Sequence, residues 1–285
     1  MIVVTGANGK LGRAVVEHLL DRLPGEQLGV SVRDPEQARD LAERGVRVRR
    51  GSFDDAHSLA HSFEGASRVL IVSVNSTGAA RLAMHRTAIE AARDAGAERV
   101  FYTSHAGAAP RSPFAPMPDH YATEEILHAS GVPGTALRGG FYADTAIMLL
   151  GNAAESGELS APEDGPVNWT THADMSEAMA AALVDADTDE ATLELTGAET
   201  VDLAGLAALA SELTGRPIRR VVVPDDRYRG GMLDRGMPPE RADMMIGLFQ
   251  ASRQGGFTRI APTLERLIGR PPTTVRTVVS QSIAA

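Results

Sequence analysis

Apolar and polar positions follow two alternating periods through the first half of the chain. Residues 1–4 are a short, mostly β-branched apolar run, after which Leu11, Val15, Leu19 and Leu20 recur at helical spacing. The alternation repeats: the pattern predicts strands over 27–32, 46–50, 68–73, 98–103 and 134–137. Between them it predicts helices over 36–44, 55–63, 79–95 and 119–129. The run at 68–73 (RVLIVS) is almost continuously apolar, which suits a strand covered on both faces. Pro110, Pro113, Pro116 and Pro118 argue against a helix, so 105–118 is expected to be a loop. Strand–helix alternation of this kind implies an α/β fold, a doubly wound parallel sheet with helices on both faces, which is the Rossmann arrangement.

Beyond residue 150 the rhythm changes. A helix is expected over 174–184, with His172 and Asp174 as its start and cap, and a strand over 192–196. A helix over 203–213 and a strand over 219–223 follow, then mostly helix near 226–235, 239–253, 262–268 and 274–283. We divide the chain into an N-terminal Rossmann domain, 1–150, and a smaller C-terminal α+β lobe, 151–285, packed on it. Met237, Met244, Met245, Leu248 and Phe249 make an apolar set suited to packing within that lobe.

The composition narrows the function. With 28 Lys and Arg against 37 Asp and Glu, the net charge is −9, which disfavours nucleic acid. The absence of cysteine removes disulfides, thiolate catalysis and cysteine-ligated zinc. No metal site is expected. No stretch approaches the ~20 apolar residues of a membrane span, and a strand beginning at residue 1 leaves no room for a signal peptide, so the expected location is the cytoplasm. Lys10 is the only lysine; all other residues among the 28 are arginine. Schiff-base chemistry could therefore use only Lys10.

The first loop carries the strongest motif. Gly6-Ala7-Asn8-Gly9-Lys10-Leu11-Gly12 lies between a predicted strand and a predicted helix. Gly6 permits the tight turn, Gly9 lets backbone approach a pyrophosphate, and Gly12 lets helix and strand pack closely. Backbone N–H groups at the helix start can then hold the phosphates. An NAD site usually shows an acidic residue ~20 positions later; here Arg33 stands 21 positions after Gly12. A guanidinium there can fork onto a 2′-phosphate, which favours NADP(H), unless it is simply solvated and paired with Asp34.

The ends of the later strands supply the rest. Phe53 and Asp54 are placed to border the adenine. Ser73, Val74 and Asn75 should run along the nicotinamide-side ribose, bonding through Ser73 or Asn75, while Ser76 or Thr77 caps the following helix. Thr103, Ser104 and His105 end the fifth strand beside the nicotinamide, with His105 either structural or part of the pocket. The four tyrosines, Tyr102, Tyr121, Tyr142 and Tyr228, are followed four residues on by Ala106, Glu125, Ala146 and Met232. The tyrosine–lysine acid pair of ordinary short-chain dehydrogenases is therefore missing, and carbonyl reduction through it is not expected.

The segments GANGKLG, SVRDP, FYTSHA, His120-Tyr-Ala-Thr-Glu124, LRGGFY and ERLIGRPPTT together resemble the NmrA-like atypical short-chain dehydrogenases, in particular their quinone oxidoreductase and triphenylmethane reductase branch. The resemblance covers nearly the whole chain. It implies NADP(H) and direct hydride transfer to an electron-poor aromatic acceptor such as a quinone. It also implies that Arg138, Gly139, Gly140 and Phe141 line the nicotinamide, with Tyr142 beside the substrate. The chain departs from the family at Gly139-Gly140-Phe141-Tyr142, where an Asn-Gly pair is usual, and at Ser52, where an Asp is usual. His105, Phe141 and Tyr142 are pocket residues under this reading, none an obligatory acid. The alternative is a non-enzymatic NADP(H)-binding redox sensor acting through protein partners. The sequence leaves the oligomeric state open.

Overall fold

The computed structural model describes residues 1–185 and 190–284. Strands β1 (Ile2–Thr5), β2 (Leu28–Val32), β3 (Arg47–Arg50), β4 (Arg68–Ile71), β5 (Arg99–His105) and β6 (Gly134–Gly139) are joined by helices. These helices are α1 (Lys10–Leu20), α2 (Arg39–Glu43), α3 (Ala56–Phe63), α4 (Gly78–Asp94) and α5 (Pro116–Ala129). The chain continues through β7 (Phe141–Tyr142), α6 (Ala143–Leu150), α7 (Ala153–Ser156), β8 (Glu158–Ala161) and β9 (Trp169–Thr170). After α8 (His172–Val184) and β10 (Thr192–Leu195) come α9 (Leu203–Thr214), β11 (Arg219–Val222), α10 (Asp225–Asp234), α11 (Pro239–Arg253), α12 (Thr263–Ile268) and α13 (Val275–Ala284).

The central sheet has seven strands in the order β3-β2-β1-β4-β5-β6-β10, all parallel. This is the doubly wound order, and its direction reverses between β1 and β4. At such a switch point the flanking connections leave to opposite faces, opening a crevice at the strands' carboxyl ends. One face is covered by α1 and α8, whose Val15, Leu19, Met175 and Met179 join Val4, Val30 and Leu137 in one core. The other face is covered by α3, α4 and α5, with Leu59, Phe63, Ile89 and Leu127 against Val69, Ile71 and Tyr102. A third core, around Phe114, Phe141, Trp169, Phe249 and Phe257, joins residues from both sides of position 150. No helix among the described residues is long and apolar enough to cross a membrane.

Three sequence expectations change. Helix α5 starts at Pro116, inside the stretch read as loop. Prolines 116 and 118 occupy its first turn, where the missing N–H groups have no helical acceptor to lose. Helix α8 starts at His172, and the cap is Thr171, whose Oγ1 accepts from the Asp174 N–H at 3.1 Å. Asp174 instead accepts the Thr273 N–H, tying α8 to the chain before α13. Finally, the strand near 192–196 pairs with β6 and forms the edge of the main sheet, so the sheet draws one strand from beyond residue 150.

Candidate active site

The glycine loop is shaped by backbone constraints that only glycine meets. Gly6 has φ of 66°, and its N–H donates to Ser31 O at the end of β2. A Cβ on Gly12 would lie 2.5 Å from Gly6 O, so α1 can approach β1 this closely only without a side chain. Gly9 is the N-cap of α1 and offers no side-chain cap, leaving first-turn N–H groups of α1 facing out of the strand end. With the helix dipole behind them, these donors form an anion cradle.

A cavity of about 800 Å³ opens from this loop across the strand ends. Its floor is Gly6, Asn8 and Gly9; its far wall carries Phe53 and Asp54, and its inner side is the segment Ser73–Ser76. Arg33 stands exposed at the mouth, with no carboxylate partner among the described residues. The pairing with Asp34 that would neutralise it does not form, because the Asp34 carboxylate accepts from the Glu36 N–H and from Gln37 Nε2. Asn8 Nδ2 donates to Asp34 O and fixes the glycine loop against this turn.

Just past β4 the strands separate, and three consecutive N–H groups lose their ladder partners. Side chains replace them: Val72 N–H donates to Thr5 Oγ1 at 2.8 Å, Ser73 N–H to Thr103 Oγ1 at 2.8 Å, and Val74 N–H to His85 Nε2 at 3.1 Å. The strand therefore ends earlier than its apolar run, and Thr103 serves this wall. Ser76 Oγ is buried beside the cavity without a hydrogen-bond partner, a polar atom available to a ligand.

Below this wall lies a buried polar network that the sequence did not reveal. Since His85 Nε2 accepts, its Nδ1–H donates to Thr123 Oγ1, which donates in turn to Asp119 O. Arg81, only 3% exposed, donates from Nη2 to His120 Nε2 at 2.9 Å, so His120 Nδ1–H faces Tyr102 Oη at 2.9 Å. Both rings are thus assigned as neutral tautomers by their partners. Burial, reinforced by the Arg81 charge, pushes His85 down to about 3 and His120 well below its ordinary value. Burial raises Tyr102 to about 12, so it stays protonated at neutral pH.

His105 closes β5. Its Nδ1 accepts from the Gly107 N–H at 2.9 Å, leaving Nε2–H as a donor, and burial lowers its pKa to about 3. Ser104 and Arg138, adjacent in register on β5 and β6, are committed elsewhere. Arg138 forks onto Glu124 at 2.9 and 2.5 Å, and Ser104 Oγ donates to the same carboxylate. Their side chains brace the sheet. Gly139 and Gly140 are close-packed for a local reason. Added Cβ atoms would lie 2.7 Å from Met175 Sδ and 2.2 Å from Thr170 Oγ1.

Phe141 and Tyr142 alternate across β7, so they face opposite ways. Phe141 is 7% exposed and packs at 5.2 Å from both His105 and Phe257, and at 5.6 Å from Phe114 and Trp169. Tyr142 is 38% exposed and stacks on His172, centroids 4.0 Å apart and planes 6° apart. Asp144, two residues on, pairs with Lys10 of the glycine loop and lies 3.5 Å from His172 Nδ1. Asp144 and His172 were not identified as site residues from the sequence. The available hint was that the sole lysine sits in the loop that they meet. Among the described residues no cluster of His, Asp and Glu is placed to hold a metal ion.

Known proteins share this architecture. The profile of the NmrA-like family matches residues 1–270. Quinone oxidoreductase 2 of Escherichia coli K12 is 32% identical, the match covering 98% of each chain. The NAD(P)H azoreductase of Xenophilus azovorans is 28% identical over 96% of this chain and 95% of its own. Among solved structures, an NADPH-dependent quinone oxidoreductase from Escherichia coli complexed with NADPH superposes with a TM-score of 0.93, covering 99% of this chain and 100% of that one. The Citrobacter triphenylmethane reductase complexed with NADP(H) gives 0.89 at 30% identity, with the same coverage.

Proposed function

Because the chain belongs to the NmrA-like family, we propose that it is an NADPH-dependent oxidoreductase that reduces electron-poor aromatic acceptors of the quinone, azo or triarylmethyl class. The observation that carries the cofactor half is Arg33, an unpartnered guanidinium at the mouth of a cavity that begins in a glycine cradle. The residues present fit the dinucleotide. First-turn N–H groups of α1 hold the pyrophosphate, Arg33 takes the 2′-phosphate, and Phe53 and Asp54 border the adenine. Ser73, Asn75 and the unpaired Ser76 Oγ face the remaining ribose, and the backbone at Gly139–Gly140 borders the nicotinamide. Bound there, NADPH supplies a hydride.

The groups around β5 and β6 explain the acceptor class. His105 and His120 are neutral, Tyr102 holds its proton tightly, and no lysine adjoins a tyrosine of the cleft. A ketone is a weak electrophile and needs a proton as the hydride arrives. A quinone yields a phenolate-like product that water protonates, and a triarylmethyl cation becomes neutral. The protein has only to align donor and acceptor in a water-poor cleft. His105 Nε2–H and Tyr142 shape that cleft.

The test follows NADPH absorbance with naphthoquinone, an azo dye, crystal violet and an aryl ketone. Turnover of the first three and neglect of the ketone is the expected result. Tyr142→Phe should retain quinone turnover within about fivefold. A loss of ~10³-fold, within the range of a true general acid, would overturn direct transfer.

A further inference from the structure

Among the ring contacts of the protein one differs in kind. Tyr142 and His172 lie 6° from parallel at 4.0 Å, whereas every other ring pair among the described residues crosses at 38° or more. The cores use tilted and edge-on aromatic packing; the flat stack occurs at the surface. Tyr142 is also the one aromatic ring among the exposed large apolar side chains. With one face covered by His172, its exposed area is the remaining face and edge.

His172 is itself held. Burial depresses its pKa, so it stacks as a neutral imidazole, and its Nδ1 is buried 3.5 Å from the Asp144 carboxylate without a hydrogen bond. Asp144 is in turn paired with Lys10. A continuous chain of contacts therefore runs from the glycine loop through Lys10, Asp144 and His172 to the Tyr142 ring. It links the start of α1 to the chain just after β6.

We propose that His172 is a positioning residue that holds Tyr142 as a flat platform, so that the cleft prefers planar aromatic acceptors over propeller-shaped ones. This rests on the acceptor reading above. Offset stacking adds a modest increment beyond area burial, and a ring already immobilised loses little freedom when a second ring joins it. A planar quinone can use the whole face of Tyr142, while a triarylmethyl cation touches it with one twisted ring. Lys10 and Asp144 keep the platform in register with the cofactor loop.

The experiment compares wild type, His172→Ala and His172→Phe. The KM values for naphthoquinone and crystal violet are measured, together with calorimetric Kd values for NADPH and, on the NADP⁺-loaded protein, for naphthoquinone. His172→Ala should raise the naphthoquinone KM and Kd about three- to tenfold, with the change in KM rather than kcat. It should alter crystal violet less than twofold. His172→Phe, which can restore the stack, should return both naphthoquinone values to within twofold of wild type. Equal losses on both acceptors, no change in the naphthoquinone Kd, or failure of Phe to restore it while NADPH affinity is intact would overturn the proposal. If wild type turned over no acceptor yet bound naphthoquinone with this variant dependence, the reductase reading would fall and the platform would stand.

Discussion

Arg33 and Arg138 sit at the carboxyl ends of the same sheet and do opposite work. Arg33 follows β2, is exposed, and meets no carboxylate among the described residues. Arg138 lies in β6, is mostly buried, and forks onto Glu124 with Glu194 at 3.5 Å. The β2 side of the crevice leaves its polar groups unsatisfied: first-turn N–H groups, a guanidinium, a serine hydroxyl. The β5–β6 side pairs most of its charged groups internally, Arg138 with Glu124 and Arg81 with His120, though Arg81 Nε, His172 Nδ1 and Glu194 Oε2 have no hydrogen-bond partner. An open polar group is free to exchange its water for a ligand. A paired one fixes geometry.

That contrast is most severely tested at Arg138. Arg138→Met should destabilise the fold by about 3–5 kcal/mol, since Glu124 would be left buried without its cation, while NADPH affinity changes less than threefold. Urea denaturation and calorimetry separate the two, and a variant that folds normally but loses NADPH would reverse the assignment of Arg138 to the frame.

Next in size is Gly9→Val. A Cβ there already approaches Gly6 O at 3.3 Å, and the branched side chain projects into the cradle. NADPH binding should weaken at least ~100-fold, about 2.7 kcal/mol, with only a small fall in Tm. Normal binding by this variant would reduce the loop to a turn.

Acid acts strongly on the paired side. His85 and His120 have folded pKa values below the ordinary 6.5, so the unfolded chain takes up protons first as pH falls. Their contribution is complete above about pH 6.5 and is lost below it, down to about 3 for His85. The slope approaches about 1.4 kcal/mol per pH unit for each histidine. Urea midpoints at pH 7 and pH 5 read this directly, and equal stabilities would mean that the imidazoles are not buried neutral.

Arg33→Ala carries the smallest change. It should leave Tm unaltered and weaken NADPH about tenfold while sparing NADH. Equal losses for both cofactors would show that Arg33 does not read the 2′-phosphate.

The open side was also the side legible in sequence. Its elements come from short contiguous runs: GANGKLG, the end of β2, the apolar run of β4. Local spacing gives both the conformation and the chemistry there. The closed side joins residues far apart in the chain, Lys10 with Asp144, Tyr142 with His172, His105 with Phe257. No window contains both members of such a pair. Phe141 and Tyr142 were read together as pocket residues, yet strand alternation sends Phe141 into an aromatic core and leaves only Tyr142 outside. Pro116 was read as a helix breaker, although first-turn position removes its cost. The destination of β10 depended on a partner strand more than 50 residues earlier.

The route of the chain has a mechanical consequence. A hinge between two bodies needs few covalent threads through its axis. Here the backbone passes between sheet layer and lobe at 139–141, 170–172, 195–203, 253–263 and 268–275, and α12 returns to pack on α8 before α13 rejoins α9. Rotating the lobe as a rigid piece would drag all these threads at once. The resistance of this crevice to opening is thus spread over several crossings of the chain rather than held at one joint.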